Sequence, residues 1–418
     1  MPTPSDITAT DPTAAATPGR LLDVTRLVRR IGRPVLTGID RVELAWLDHL
    51  LARPDPLWLL VGGRRRQLLL PRAAGALIRG WLNAPPQPKG FVEQAIAGRR
   101  GIAAVARRRL ARQAVASAGP GNIARAVAAR MPAGGWYLNL GHLNAEAPRL
   151  AGLGRVPGLK RALMLHDAIP LDHPEWSEPH AVSQVAALIA AANRQSERVI
   201  AISGATRDAL HRHGLTRTTR VVPLGVATAV PDRARLPDAL DRDRPWFVVL
   251  GTVEPRKDHE MLLDLWESLR ADPPPGGLPQ LLVIGRRGWQ SDALLERLAA
   301  AAADPATGVI HCEALDDAGT AAAMAEAVAL LMPSRAEGFG LPVFEAVALG
   351  CPVIAAPLPA YREILGDSVV YAPAGDLYAW RSEVVRALEQ AAAASERRAA
   401  GPVPDWAAHF NAVLADLA

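Results

Sequence analysis

Short, fully apolar runs alternate with amphipathic stretches along most of this chain. In the second half the alternation is regular. Trp246–Gly251, Leu281–Gly285, Val309–His311, Ala327–Met332 and Pro352–Ala356 read as strands; Asp258–Arg270, Ser291–Ala303, Asp316–Ala325, Leu341–Leu349 and Asp376–Ala394 read as helices. Strands apolar at every position, rather than at every second one, belong to parallel sheets covered on both faces. The first half repeats the pattern less cleanly. Strands are expected at Leu21–Leu27, Leu57–Val61, Trp136–Leu140, Ala162–Leu165 and Val199–Ile202, and helices at Ile39–Leu51, Glu178–Ala192 and Ala205–His213. Pro85 to Pro132 reads as helical and basic and finds no place on a sheet. Pro231 to Pro245 is crowded with Asp and Arg, holds almost no core-forming residues and reads as a linker.

The pattern predicts an α/β protein of two domains. The expected division is a disordered leader (1–19), a first domain (20–230), the linker (231–245), a second domain (246–403) and a C-terminal helix (404–418). In that last segment Trp406, Phe410, Val413 and Leu417 recur at helical spacing, and the helix is expected to pack back on the first domain. Two domains joined by such a linker leave a cleft between them, the favoured place for a ligand.

Composition agrees and narrows the class. A chain of 418 residues, half of them apolar, exceeds what one core usually serves. The leader lacks the basic start and apolar stretch of a signal peptide, and no charge-free apolar run is long enough to span a bilayer. Cys312 and Cys351 are the only cysteines, which suggests neither a disulfide framework nor a zinc site and fits a reducing cytoplasm. The net charge of +5 is small but uneven, with Arg99, Arg100, Arg107, Arg108, Arg109 and Arg112 crowding one helical segment. That segment suits an anionic membrane surface, a nucleic-acid patch or a plain solvated face. No nucleic-acid module accompanies it.

The chemistry concentrates at strand-to-helix turns. Glu337 and Glu345 stand eight positions apart across the glycine-bracketed turn Gly338-Phe339-Gly340-Leu341. Carboxylates accept hydroxyl hydrogen bonds, and free backbone N–H groups between them suit a phosphate at a helix N-terminus. Gly251-Thr252 leads to Arg256-Lys257, adjacent cations able to grip a diphosphate. His166-Asp167 closes an apolar strand, where open sheets bind ligands; His166 is placed to bond a sugar hydroxyl or to share a proton. His142 ends a similar strand. Gly38 and Arg41 open a helix, and Ser203 stands at another helix start, as a cap or as a cleft residue. No dinucleotide fingerprint of the G-x-G-x-x-G kind is present, which counts against a nicotinamide or flavin enzyme.

Together these blocks resemble the retaining glycosyltransferases of family 4, the group-1 type, with the GT-B fold. EGFGLPVFEAVALGCPVIAA is similar to that family's E-x7-E signature; GTVEPRKDHEMLLDLW, HDAIPLDHPEW, AISGATRDAL and TGIDRVE match further blocks in order. The resemblance implies two Rossmann-like domains facing across a cleft and transfer from a GDP-, UDP- or dTDP-linked sugar to a glycan or lipid-linked acceptor in surface polysaccharide synthesis. Mannosyl, glucosyl or rhamnosyl transfer is expected, without cofactor or obligatory metal.

It also implies roles for particular residues. Glu337 would contact the donor sugar, and Glu345 the ribose. Arg256 and Lys257 would hold the diphosphate, His166 would lie near the anomeric centre, and the N–H groups of 338–341 would meet sugar and phosphate oxygens. Gly38, Arg41, His142, Asp167 and Ser203 are expected in the acceptor cleft. The expected setting is the cytoplasm, peripheral on the inner membrane face, with membrane contact through the 99–112 helix and no nucleic-acid partner. The rivals are an epimerase or phosphorylase of the same fold, and a non-catalytic nucleotide- or glycan-binding protein. One departure stands out: the glycine-rich first loop of many members is reduced here to Gly38.

Overall fold

A computed structural model of the chain describes residues 18–393 and 399–417, apart from 34, 64, 120, 143, 144 and 146. Residues 1–17 of the expected leader, and Ala394 of the expected last helix of the second domain, lie outside the described residues. Two sheets form. The first contains β1 (Gly19–Asp23), β2 (Leu57–Val61), β3 (Gln67–Pro71), β4 (Ala116–Ala118), β5 (Gly135–Asn139), β6 (Leu159–Leu165), β7 (Arg198–Ala201) and β8 (Thr219–Val221), in the order β4-β3-β2-β1-β5-β6-β7-β8. The second contains β9 (Trp246–Leu250), β10 (Gln280–Ile284), β11 (Val309–Cys312), β12 (Ala329–Met332), β13 (Val353–Ala355) and β14 (Val370–Tyr371), in the order β11-β10-β9-β12-β13-β14.

The second sheet is parallel throughout. The first is parallel from β2 across to β8, with β3 and β4 added antiparallel at one edge. In each sheet the chain reverses its lateral direction once, between β1 and β5 and between β9 and β12. At such a switch point the loops leaving the strand ends diverge and open a crevice. The loops after β9 and β12 carry Arg256-Lys257 and Glu337.

The strands are buried on both faces. In β1, Leu21 and Leu22 enter different clusters, and in β9, Phe247 and Val249 point to the outer layer while Trp246 and Val248 point inward. The inward cluster is continuous from Leu22 in the first domain to Phe344 and Val413.

Several expectations change. Leu21–Leu27 is a strand only to Asp23; Thr25–Arg30 is a helix. The Pro85–Pro132 region does reach a sheet, since its Ala116–Ala118 pairs with β3 as the edge strand β4. Its basic stretch is not one helix. Gly101, at φ +75, breaks it into Gly90–Arg100 and Ile102–Gln113, which pack on each other. The Pro231–Pro245 segment is not free of core residues, because Leu236 and Leu240 are buried. It also lies against the second domain through Arg233–Glu326 at 3.0 Å and Arg235–Asp316 at 2.7 Å.

The C-terminal Trp406–Asp416 helix packs on the Gly38–Ala52 helix. Trp46 Nε1 donates to His409 Nε2 at 3.1 Å, and Phe410 stacks on His49 at 3.9 Å. Gly225 makes room for this crossing, since a Cβ there would meet Trp406 at 2.4 Å.

Candidate active site

The loop from Pro333 to Gly340 leaves β12 at the switch point and delivers the chain into the Leu341–Ala348 helix. Gly340 is left-handed (φ +81), which a side chain would strain, and Pro342 in the first helical turn fixes the helix start. Among the described residues no protein acceptor takes the N–H groups of Gly338, Phe339, Gly340 or Leu341. These donors at a helix N-terminus form a ready anion site. The Phe339 ring turns away from the loop and stacks on Phe344 at 4.3 Å, so only its backbone faces the turn.

Arg256 and Lys257 sit in the short 3-10 turn Pro255–Lys257 after β9. Glu337 lies between them: Arg256 Nη1 is 3.0 Å from Oε2, and Lys257 Nζ bonds Oε1. Burial alone would raise the Glu337 carboxyl, but Lys257 and Arg256 hold it at about 2. Burial likewise works against the Arg256 charge, yet Glu337 and Glu254 keep its pKa above the usual arginine value. Gly251 (φ +154) lets the Lys257 side chain pass, since a Cβ there would lie 3.3 Å from Lys257 Cε. Thr252 packs beside Gly288, whose added Cβ would meet Thr252 Cγ2 at 2.6 Å.

The two loops are stitched together. Arg335 holds Asp258 through two bonds of 2.9 and 3.0 Å, Arg335 N donates to Arg256 O at 2.9 Å, and Arg256 Nη1 donates to Ala336 O at 2.5 Å. The cations are thereby fixed in place before any ligand arrives, which is what electrostatic stabilisation requires.

The first domain meets this centre edge to edge. A Cβ on Gly338 would stand 2.1 Å from His166 O and 3.1 Å from Asp167 Cβ. Ser203 Oγ and Thr206 Oγ1 donate to Gly338 O at 3.0 and 3.2 Å. Ser203 also accepts from Thr206 N at 3.0 Å, so it is both helix cap and domain contact. Asp167 is half-buried, and loss of solvent raises its pKa against the pull of Arg256.

His166 faces Leu140 O through Nε2 at 2.7 Å, and its backbone N donates to His142 Nε2 at 2.9 Å. A carbonyl only accepts, so His166 carries its proton on Nε2 and leaves Nδ1 as an acceptor; His142, accepting at Nε2, carries its proton on Nδ1. Burial, together with the neighbouring ring, pushes His166 down to about 3, and burial with Arg26 pushes His142 to about 4. Both rings are neutral at neutral pH. The free Nδ1 of His166 is therefore a hydrogen-bond acceptor, while its Nε2–H is taken by Leu140 O. His142 holds φ +64, uncommon outside glycine and frequent where a site stores strain.

Glu345 stands five residues into its helix, nearer the start than a two-turn placement, and is not free. Arg41 bonds it at 2.7 Å and also reaches Asp317 at 2.5 Å. Burial raises the Glu345 pKa, with Arg41 opposing. Gly38 faces the Glu337 loop across the cleft: a Cβ there would touch Leu341 Cδ1 at 3.4 Å.

The structure thus brings Glu337, Arg256, Lys257, Gly251, Gly338, His166, Asp167 and Ser203 to one junction, with His142 behind His166. Glu345, Arg41 and Gly38 form a second group. Several contributors were not singled out in the sequence: Glu254 and Thr206, although both lie inside quoted blocks, and Arg335, the Gly285–Gly288 turn and Tyr361, whose hydroxyl underlies Gly340. Outside those blocks, the glycines ending β10 were the one available signal. Beside the second group, Arg41, Asp317, Thr320 and Glu345 line a small hollow of about 40 Å3.

Fold and site define a two-domain α/β protein with charged loops facing across a cleft, the GT-B architecture. HepE of Anabaena, solved in complex with UDP and glucose, superposes with a TM-score of 0.60 at 16% identity over 96% of this chain and 95% of that one. Residues 244–390, covering most of the second domain, match the family model described as glycosyl transferases group 1. Among curated relatives, the serotype-specific mannosyltransferase WbdA of Escherichia coli is 28% identical over 281 residues, 62% of this chain and 33% of that protein. The phosphatidyl-myo-inositol mannosyltransferase of Mycobacterium leprae (strain TN) is 35% identical over 143 residues, 32% of this chain and 34% of that protein. These matches span about a third of the relatives' own length. No helix among the described residues is long and apolar enough to cross a membrane.

Proposed function

We propose that the protein is a glycosyltransferase that moves a hexose, mannose foremost, from a nucleoside-diphosphate sugar to a glycan or lipid-linked acceptor with retention of anomeric configuration. The observation that carries this reading is the buried Glu337 clamped between Arg256 and Lys257 beside the Gly338–Leu341 turn. The mannose preference rests on the two named relatives alone.

In this reading the bond between the anomeric carbon and the phosphate oxygen breaks while a bond to the acceptor oxygen forms. Negative charge grows on the departing diphosphate. Arg256, Lys257 and the helix N–H groups are aimed there, where their effect is greatest in the transition state. Their charge stands in for a metal. A phosphate oxygen takes the acceptor proton, which relieves His166 of that role; its bare Nδ1 accepts a donor-sugar hydroxyl instead. Glu337 accepts sugar hydroxyls, and Glu345 the ribose hydroxyls once Arg41 has moved.

The test is nucleotide release from a panel of nucleotide sugars, GDP-mannose first, with a polyprenyl-linked acceptor. Arg256→Ala and Glu337→Ala should each lower kcat/KM by roughly a hundredfold or more. Undiminished turnover in both variants would remove the assignment.

A further inference from the structure

The arginine-rich stretch is sorted by the fold into three kinds of residue. Arg107 is structural: its guanidinium donates to Gly62 O at 2.8 Å and Arg66 O at 2.7 Å, binding the Ile102–Gln113 helix to the loop after β2. Arg109 is consumed by Glu93 at 2.7 Å and by Gln87 O at 2.5 Å. Arg99 and Arg100 lie at the Gly101 end of the helical hairpin. The remaining two, Arg108 and Arg112, lie at the opposite end with Lys89. All three are exposed, and none has an ion-pair partner among the described residues.

That end has a shape as well as a charge. A hollow of about 470 Å3 is lined by Lys89, Val92, Glu93, Arg108, Arg109 and Arg112. Four cations face one carboxylate, and that carboxylate already belongs to Arg109. At its rim, Phe91 is 85% exposed and Val92 53% exposed, on the first turn of the Gly90–Arg100 helix. A fully exposed phenylalanine beside unpaired cations gains nothing in water. Against a lipid surface the ring enters the acyl boundary while the cations meet phosphates.

We infer that this end of the hairpin is a membrane-docking site, with Phe91 and Val92 inserted and Lys89, Arg108 and Arg112 seated on phosphodiester headgroups of an anionic phospholipid bilayer. Charge complementarity selects anionic lipid, and the protruding ring selects lipid over a soluble polyanion. The site lies on the first domain, away from the residues proposed for donor chemistry. It relocates the membrane contact expected along 99–112 to one end of the hairpin and leaves Arg99 and Arg100 out of it. The inference does not depend on glycosyl transfer.

Co-sedimentation of the full chain with phosphatidylcholine vesicles, with and without phosphatidylglycerol, tests it. Binding should require phosphatidylglycerol. At roughly fivefold in partition per cation, the double variant Arg108→Glu/Arg112→Glu should lose about tenfold or more. Phe91→Ser should also weaken binding, while Arg99→Glu/Arg100→Glu should not. These positions are exposed, so the melting temperature should stay put, and nucleotide release with a water-soluble acceptor should be unchanged in Phe91→Ser. No binding to anionic vesicles overturns the inference. So does equal loss in the Arg99/Arg100 variant, or binding that salt abolishes but Phe91→Ser leaves untouched, the signature of a plain polyanion site.

Discussion

His409 shows how much a single side chain settles. Its Nδ1 faces Pro223 O at 2.8 Å and must carry the proton there, so Nε2 accepts from Trp46. A second proton would oppose the indole N–H. Burial accordingly pushes His409 to about 4, and His166 and His259 to about 3. A base whose pKa is depressed on folding favours the native state above its unfolded value near 6.5, and that contribution drains away as pH falls toward the folded value. Stability should therefore decline from about pH 6.5 downward, on the order of 3 kcal/mol per histidine at the limit. Glu337, held at about 2, adds its own loss only below about pH 4.5. Thermal melts from pH 7 to 4 should show the first decline, and His409→Gln should flatten it. An equally steep limb in the variant would show that the Trp46–His409 bond is not what acid breaks.

Elements that bury both faces were legible in the sequence because they are apolar without interruption: β9, β10 and β12 needed no periodicity argument. What escaped lies where burial is partial or the element is short. β4 and the two-residue β14 sit at the edges of their sheets, and the helix Pro359–Leu365 has seven residues; β3 is buried, but its apolar run is only three leucines between Gln67 and Pro71. The break at Gly101 was masked by helix-forming residues on both sides. Within the site, Arg256, Lys257 and Glu337 were readable because their loops follow predicted strands on one sheet edge. The Arg41–Glu345 pair was not, since it joins positions 304 apart and exists only when the domains meet. Gly338 belongs to the same class of contact. Its Cβ would press on a backbone carbonyl, which cannot swing aside, so Gly338→Ala should wedge the two loops apart. The expected result is a lower melting temperature, by about 1 to 3 kcal/mol of stability, and turnover reduced at least about tenfold with nucleotide still bound. Calorimetric melting and a nucleotide titration of the variant separate these effects.

At the scale of the whole molecule, ion pairs from Arg41 to Glu345 and Asp317 tie the two domains together, and the space left beside them is about 40 Å3. A ribose bound at Glu345 has to take this space. Arg41 is the side chain most directly in competition, because it occupies the carboxylate proposed for the ribose. Arg41 is a third exposed and Glu345 nearly buried, so the pair is worth about 1 kcal/mol. Arg41→Ala should then tighten nucleotide binding by roughly fivefold, read by titration calorimetry at low salt. Weaker binding would mean that Arg41 serves the donor rather than displacing it.

One contact reaches further than the cleft. The Gly204–Arg212 helix of the first domain has its opening amides, Gly204 N and Ala205 N, bonded at 2.7 and 3.3 Å by Glu363 of the second domain. The same domain also leans on Trp406, His409 and Phe410, which the chain supplies only after the second domain is complete. The first domain therefore borrows a helix end and part of a core wall from sequence made after its own strands. On the ribosome it would emerge long before either arrives, so its consolidation waits on Glu363 and on the Trp406–Asp416 helix. The two lobes are less a pair of modules than one fold completed across the boundary between them.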